Sequence, residues 1–350
     1  MAGIISHMCV SGNIGKRKGN GRLFFCLFLF YIFVFVLSFS LGRFPISPPD
    51  LIRILLSRIF PIEKTWSDMM ESVVFNIRLP RILAASMIGA GLSLSGLVFQ
   101  IIFRNPMVSP DVLGTSTGAG FGAALALYMS FSGFGVTATA FLMGLLAVLI
   151  VWIISSRVPG NQVLGLVLGG IMISSIFQSG TSFIKLVADP DNQLPAITYF
   201  LMGSLAGIEM DDLRLIFLPM TLSAIPLLAI SWHINILSLS EEEALSLGVN
   251  TKLIRAVAVV TASLMTASAV AVSGLIGWVG LVIPHITRMI TGPDSSRSMP
   301  SSIFIGASFL IIVDTSSRNL TTSEVPIGIL TSFIGAPFFL YLILREGRKR

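Results

Sequence analysis

The sequence predicts an all-α integral membrane protein built on about ten transmembrane helices. Three observations predict it. Of the 350 residues, 54% are hydrophobic and only 11% are charged, whereas a soluble domain carries about 25% charge. Mean hydropathy is strongly positive. Charge-free apolar runs also recur at the ~20-residue length that crosses a hydrocarbon core. A water-exposed surface is hard to build from so little charge, so lipid must cover most of this chain. The 32 glycines fit this class, because small residues let membrane helices approach closely.

The first run, residues 23–41, reads LFFCLFLFYIFVFVLSFSL. Lys16-Arg17-Lys18 and Arg22 precede it, which places the N-terminus in the cytoplasm. A cleaved signal peptide is the competing reading; the run is long for one, and no small-x-small site follows it. Further spans are expected at 82–102, 112–131, 134–154, 163–184, 213–234, 253–273, 275–291, 300–317 and 326–344. Ten crossings return Arg345, Arg348, Lys349 and Arg350 to the cytoplasm. With that topology the inner segments hold 14 Lys and Arg against 9 outside, and acidic residues divide 6 inside to 11 outside. The Lys and Arg bias favours both termini inside, in a multi-pass protein of the cell (cytoplasmic or inner) membrane.

Two outer segments are long, 42–80 and 185–212. Pro45, Pro48, Pro49 and Pro61 break the first, and Pro190 and Pro195 punctuate the second. Neither has the length of a domain. The expected organisation is a basic cytoplasmic N-terminus over 1–22, one transmembrane domain over 23–344 with a cytoplasmic loop at 236–252, and a basic tail over 345–350.

Several function classes fall away. The net charge of +6 is spread over segment ends rather than gathered in a patch, so nucleic acid is not a partner. Cys9 and Cys26 form neither a zinc cluster nor a disulfide framework. GAGFG at 118–122 has the wrong spacing for a dinucleotide fingerprint and follows no strand. GNIGKR at 12–17 is no P-loop, because two residues rather than four separate its glycines and Arg17 stands where Ser or Thr belongs. Nucleotide energy must therefore come from a partner. His7, His233 and His285 lack suitably spaced carboxylates, so no metal site is expected. Small-residue pairs at Gly118/Gly122, Gly165/Gly169 and Gly89 to Gly96 read as tight helix packing, with a glycine-lined solute passage as the sharper alternative.

LSLSEEEALSLGVN at 237–250 stands apart. Ser240 suits an N-cap with Glu243 completing a capping box. Glu241 and Glu242 complement the positive end of the helix dipole. Gly248 suits a left-handed stop, so the helix spans about 241–247. Two turns are marginal in water, and Ala244, Leu245 and Leu247 need cover. An interfacial resting place is disfavoured, because three carboxylates would face an anionic leaflet. A docked cytoplasmic protein fits better.

These residues carry a resemblance. EEEALSLGVN resembles the coupling loop of the iron-siderophore and vitamin B12 family of ABC importer permeases. RLPRILAASMIGAGLSLSGLVFQ at 78–100, RNPMVSPDVLGTSTGA at 104–119, SGLIGWVGLVIPHITR at 273–288 and EVPIGILTSFIGAPFF at 324–339 match that family in order. The resemblance covers residues 78–344 and implies the type II ABC importer permease architecture. It also implies a dimer of permease chains, two cytoplasmic ATPases that carry ATP and Mg, and an external binding protein that delivers a metal chelate. No cofactor is implied in this chain. Carried over, the ATPase contacts are Glu241, Glu242, Glu243, Ala244, Leu247 and Gly248. Arg78, Arg81 and Arg318 are implied to dock glutamates of the binding protein, against lipid snorkelling as the plain alternative.

Asn105-Pro106 and Pro284-His285, with Arg288 a turn later, sit at expected cytoplasmic ends and read as structural or gating positions. Asp314 and Glu324 flank the last outer loop and read as solvated or paired with Arg318. The family's usual Leu-Ala-Asp after asparagine-proline is Met107-Val108-Ser109 here, with Asp111 nearby, and Trp278 replaces a common phenylalanine. The expected function is the permease of an ATP-driven importer for a ferric siderophore, haem or cobalamin-like chelate. An ion-coupled secondary transporter is the alternative, yet spans two to five hold no charge for ion coordination. A membrane-embedded enzyme lacks a catalytic pair, Asp211-Asp212 being a weak candidate.

Overall fold

The computed structural model describes residues 20–158, 162–238 and 241–347. Lys16 to Lys18, Cys9, His7, the 12–17 motif, the Ser240 cap and Arg348 to Arg350 lie outside the described residues. Among the described residues every regular element is helical. Each of the ten expected spans falls on a helix: α1 (Asn20–Ser40), α4 (Leu79–Ile102), α5 (Thr115–Tyr128), α6 (Gly133–Arg157), α7 (Gln162–Val187), α9 (Met210–Ala229), α12 (Thr251–Ser273), α13 (Val279–Thr291), α14 (Ser295–Leu320) and α15 (Ile327–Gly347). Seven are long and apolar enough to cross a membrane, and two more apolar helices, Val279–Thr291 and Ile327–Leu342, are shorter.

The long outer segments are more ordered than their prolines suggested. Pro48 and Pro49 open α2 (Pro48–Leu56) rather than break it, because a first helical turn needs no N–H from proline. Ser47 caps that helix by accepting from the Asp50 N–H. Helix α3 (Asp68–Ser72) runs through a π-helical turn, Val73–Arg78, into α4. Pro195 likewise sits in the first turn of α8 (Gln193–Met202). The three remaining short helices are α10 (Ser231–Ile236), α11 (Glu241–Ser246) and a 3₁₀ turn, Pro110–Leu113.

Helix α4 is the mast of the bundle: it is mostly buried, whereas α1 is mostly bare. It packs against α1, α9, α12, α13 and α14. The small-residue run explains how. A Cβ on Gly89 would lie 2.3 Å from the Gly306 carbonyl oxygen of α14, and one on Gly96 would lie 1.9 Å from the Gly280 oxygen of α13. Backbone meets backbone at both crossings, which only glycine permits. Gly118 and Gly122 approach Met143 and Thr139 of α6 in the same manner.

Two tethers define the faces. Just past α4, Arg104 Nε donates to the Leu237 carbonyl at 3.1 Å. Asn235 of α10 donates to Asp294 at 2.8 Å and accepts from the Ser295 N–H at 2.7 Å, holding the start of α14. The ends of α4 and α10 and the start of α14 therefore gather beside α11. The start of α4 and the end of α14 lie on the opposite face.

Candidate functional site

Among its described apolar side chains, helix α11 is held to the bundle by Ala244. Ala244 is 1% exposed and packs with Ile236 and Val249, while Leu247 is 58% exposed and faces away. The helix closes as its residues dictate: the Leu247 N–H donates to Glu243 and the Val249 N–H to Ala244, both at 3.3 Å, and Gly248 takes φ 72°. A left-handed residue here turns the chain back toward the bundle at little strain for glycine. Asn250 then caps α12, its side chain accepting from the Leu253 N–H at 3.1 Å. Glu243 is exposed; the Glu241 and Glu242 side chains lie outside those described.

Beside α11, Asn105 and Pro106 form an exposed turn in which the Asn105 side chain accepts from the Met107 N–H at 2.9 Å. Ser109 caps the following 3₁₀ turn, and Asp111 accepts from the Ser116 hydroxyl. Burial raises the Asp111 carboxyl above its ordinary pKa, and its serine hydrogen bonds offset part of that rise. Pro284 is buried inside α13. A turn further on, Arg288 donates to the Gln100 side chain, and Gln100 donates on to the Leu281 carbonyl at 3.1 Å. Gln100, which sequence reading passed over, thus joins α4 to α13; a lone amide in an apolar run was its one signal. His285 is half-buried on the same helix. Trp278 opens α13 at φ 68°, a rare conformation for a bulky residue. Its ring lies against Gly335 of α15 and meets Phe339 edge-on at 6.4 Å.

The opposite face holds the three arginines implied to dock a binding protein. Arg78, Arg81 and Arg318 do not present guanidinium groups to the exterior; they are 3%, 5% and 7% exposed and turned inward. Arg81 donates to Asp314 and to Glu324, each at 2.7 Å. Arg318 lies 3.2 Å from Asp314 and donates to the Ser38 hydroxyl at 2.9 Å. Arg78 donates to the carbonyls of Phe39 and Phe44 and so ends α1. Arg43, not foreseen, caps α14 through the carbonyls of Arg318 at 2.9 Å and Thr321 at 2.6 Å. Asp314 is fully buried rather than solvated, with Arg81 as well as Arg318 for a partner. The physical reason is desolvation: a buried guanidinium must find a carboxylate or carbonyl. Buried Arg78, Arg81 and Arg318 find them on α1, α14 and the adjoining loops, and exposed Arg43 adds a tie from the loop after α1 to the end of α14.

Residues 29–345 match the FecCD transport family. The chain belongs to that family. Among its FecCD relatives, the molybdate import system permease of Haemophilus influenzae is 37% identical over 93% of this chain and 96% of its own. A Helicobacter pylori protein named as a probable iron chelatin transport permease is 42% identical over 78% of this chain and 82% of its own. A solved ABC transporter described as of metal-chelate type, in an inward-facing conformation, superposes with a TM-score of 0.84. That structure is 36% identical, and the match covers 93% of this chain and 99% of its own.

Proposed function

We propose that this FecCD chain is the transmembrane permease subunit of an ATP-binding-cassette importer for an iron chelate or a related chelate such as haem or cobalamin. It pairs with a second permease chain, takes a chelate from an external binding protein, and is driven by two cytoplasmic ATPases that hold ATP and Mg. Both termini lie in the cytoplasm. One observation carries the coupling part of this reading. A two-turn helix is pegged to the bundle by Ala244 alone of its described apolar side chains and leaves Leu247 outward, which is the shape of a plug for a partner's groove. Glu241, Glu242 and Glu243 supply charge for basic groups or backbone donors on that partner, and Gly248 fixes the exit of the helix. The Asn105-Pro106 turn and the Gln100–Arg288 link lie on the same face and would relay its movement to α4 and α13. No ion-coordinating charge lies within spans two to five, so ion coupling finds no support there.

Uptake in vesicles holding this chain with its ATPase and binding protein tests the proposal. ATP-dependent accumulation of a radio-iron siderophore, haem or labelled cobalamin is the expected result. Accumulation of molybdate alone would move the cargo to an oxyanion, as the Haemophilus relative's name suggests. Accumulation driven by an ion gradient without ATP would overturn the reading.

A further inference from the structure

Two adjoining cavities lie on the face opposite α11, away from the chain's coupling helix. The first is an apolar groove of about 340 Å³ running down among α6, α9 and α12. The second, about 570 Å³, is a charged cleft at the rim. They share Phe134 and Leu215, so one opens into the other.

The groove lies on a bare side of this chain, since α6 and α9 are sparsely buried. Phe134, Leu218 and Leu222 are 65%, 62% and 57% exposed along it. Its polar groups are few: the Ser268 hydroxyl is spent on the Leu264 carbonyl at 2.8 Å. Pro219, within α9, lacks the N–H that would bond the Leu215 carbonyl, one way a helix wall is opened. Water gains nothing in such a place, and an alkyl chain gains apolar burial.

The rim is chemically different. Arg214 and Asp211 are each 80% exposed and 2.6 Å apart. Glu209 and Asp212 stand beside them, with the Asp212 carboxylate accepting from the Glu209 N–H at 3.0 Å as a helix cap. One guanidinium fits a phosphate. Three carboxylates around it disfavour a headgroup of net negative charge and favour one that also carries an ammonium.

We propose that groove and rim together form a binding site for one phospholipid with a zwitterionic, amine-bearing headgroup. One acyl chain lies in the groove, the phosphate sits on Arg214, and the ammonium sits toward Asp211. Ordinary boundary lipid meets a smooth helix face; here one molecule satisfies an apolar trough and a charged rim at once. A second copy of this chain is the competing occupant.

The test uses the full chain in nanodiscs of equal phosphatidylethanolamine and phosphatidylglycerol, released into mild detergent for native mass spectrometry. One retained phosphatidylethanolamine is expected, with the adduct lost in Ala138→Phe, which fills the groove, and in Arg214→Glu. If Ala138→Phe does not reach the membrane, Leu218→Trp blocks the same space from an exposed position. No retained lipid, a headgroup ratio equal to the bulk, or an adduct unchanged by the groove variants overturns the proposal. Efficient disulfide crosslinking between copies through Thr137→Cys, with Cys9 and Cys26 replaced by serine, also overturns it by making the groove a protein interface.

Discussion

Arg81 carries more of the fold than its place in an RLPR string suggests. Its removal would leave buried Asp314 to Arg318 alone, 3.2 Å away, and take the ion-pair partner of Glu324; breaking a buried pair costs about 3–5 kcal/mol. Arg81→Ala is therefore expected to lower the thermal midpoint in detergent and the yield of inserted protein; an unchanged midpoint would show that the network is idle. Arg78→Glu should act in the same way, through the end of α1, before any docking partner is involved. Gly96→Ala is a second test at this scale. Its Cβ would overlap the Gly280 carbonyl, and overpacking of this kind costs about 1–3 kcal/mol. Gly91→Ala is the matched control, because the nearest atom is a flexible Met265 side-chain carbon at 3.0 Å. Equal midpoints for the two variants would remove glycine contact as the basis of the α4 crossings. The glycines could be read in sequence because spacing alone declares them. The arginine network could not: Arg81 and Asp314 are 233 residues apart, and nothing in a linear pattern says that an arginine at a helix mouth will turn inward.

At the scale of elements, α11 is where charge and shape converge. Replacing Glu241, Glu242 and Glu243 with lysine is expected to abolish ATP-driven uptake while membrane insertion persists; normal uptake would sink the coupling assignment. Leu247→Asp should do the same without loss of stability, since that side chain is already exposed, and ATPase stimulation in proteoliposomes would read it. The boundaries of α11 were legible because each cue is local: acidic residues in its first turn and a glycine after its last. Helices α2 and α8 were missed for a local reason too. Proline was read as a breaker, whereas in a first turn it is a starter, and only the surrounding chain decides between the two. The all-helical membrane class needed no such context, because hydropathy over twenty residues is a sum that single misreadings cannot overturn.

Across the whole molecule, the ten apolar runs and the helices coincide, yet sequence could not say which would be central. Composition makes α1 the most apolar span, and the structure leaves it at the edge. The central span is α4, where Gly89 and Gly96 let the backbones of α14 and α13 come into contact with it. The continuous Asp68–Ile102 helix is 35 residues long, about 50 Å at 1.5 Å per residue, against roughly 30 Å of hydrocarbon. About 20 Å of it is therefore surplus to a perpendicular crossing, and α3 with its π-helical turn forms the end of it. That surplus is a lever arm: arginines hold it near its base, and α4 below it meets α14 backbone to backbone at Gly89 and α13 at Gly96. A small tilt imposed at Asp68 would have to be shared by every helix that touches α4.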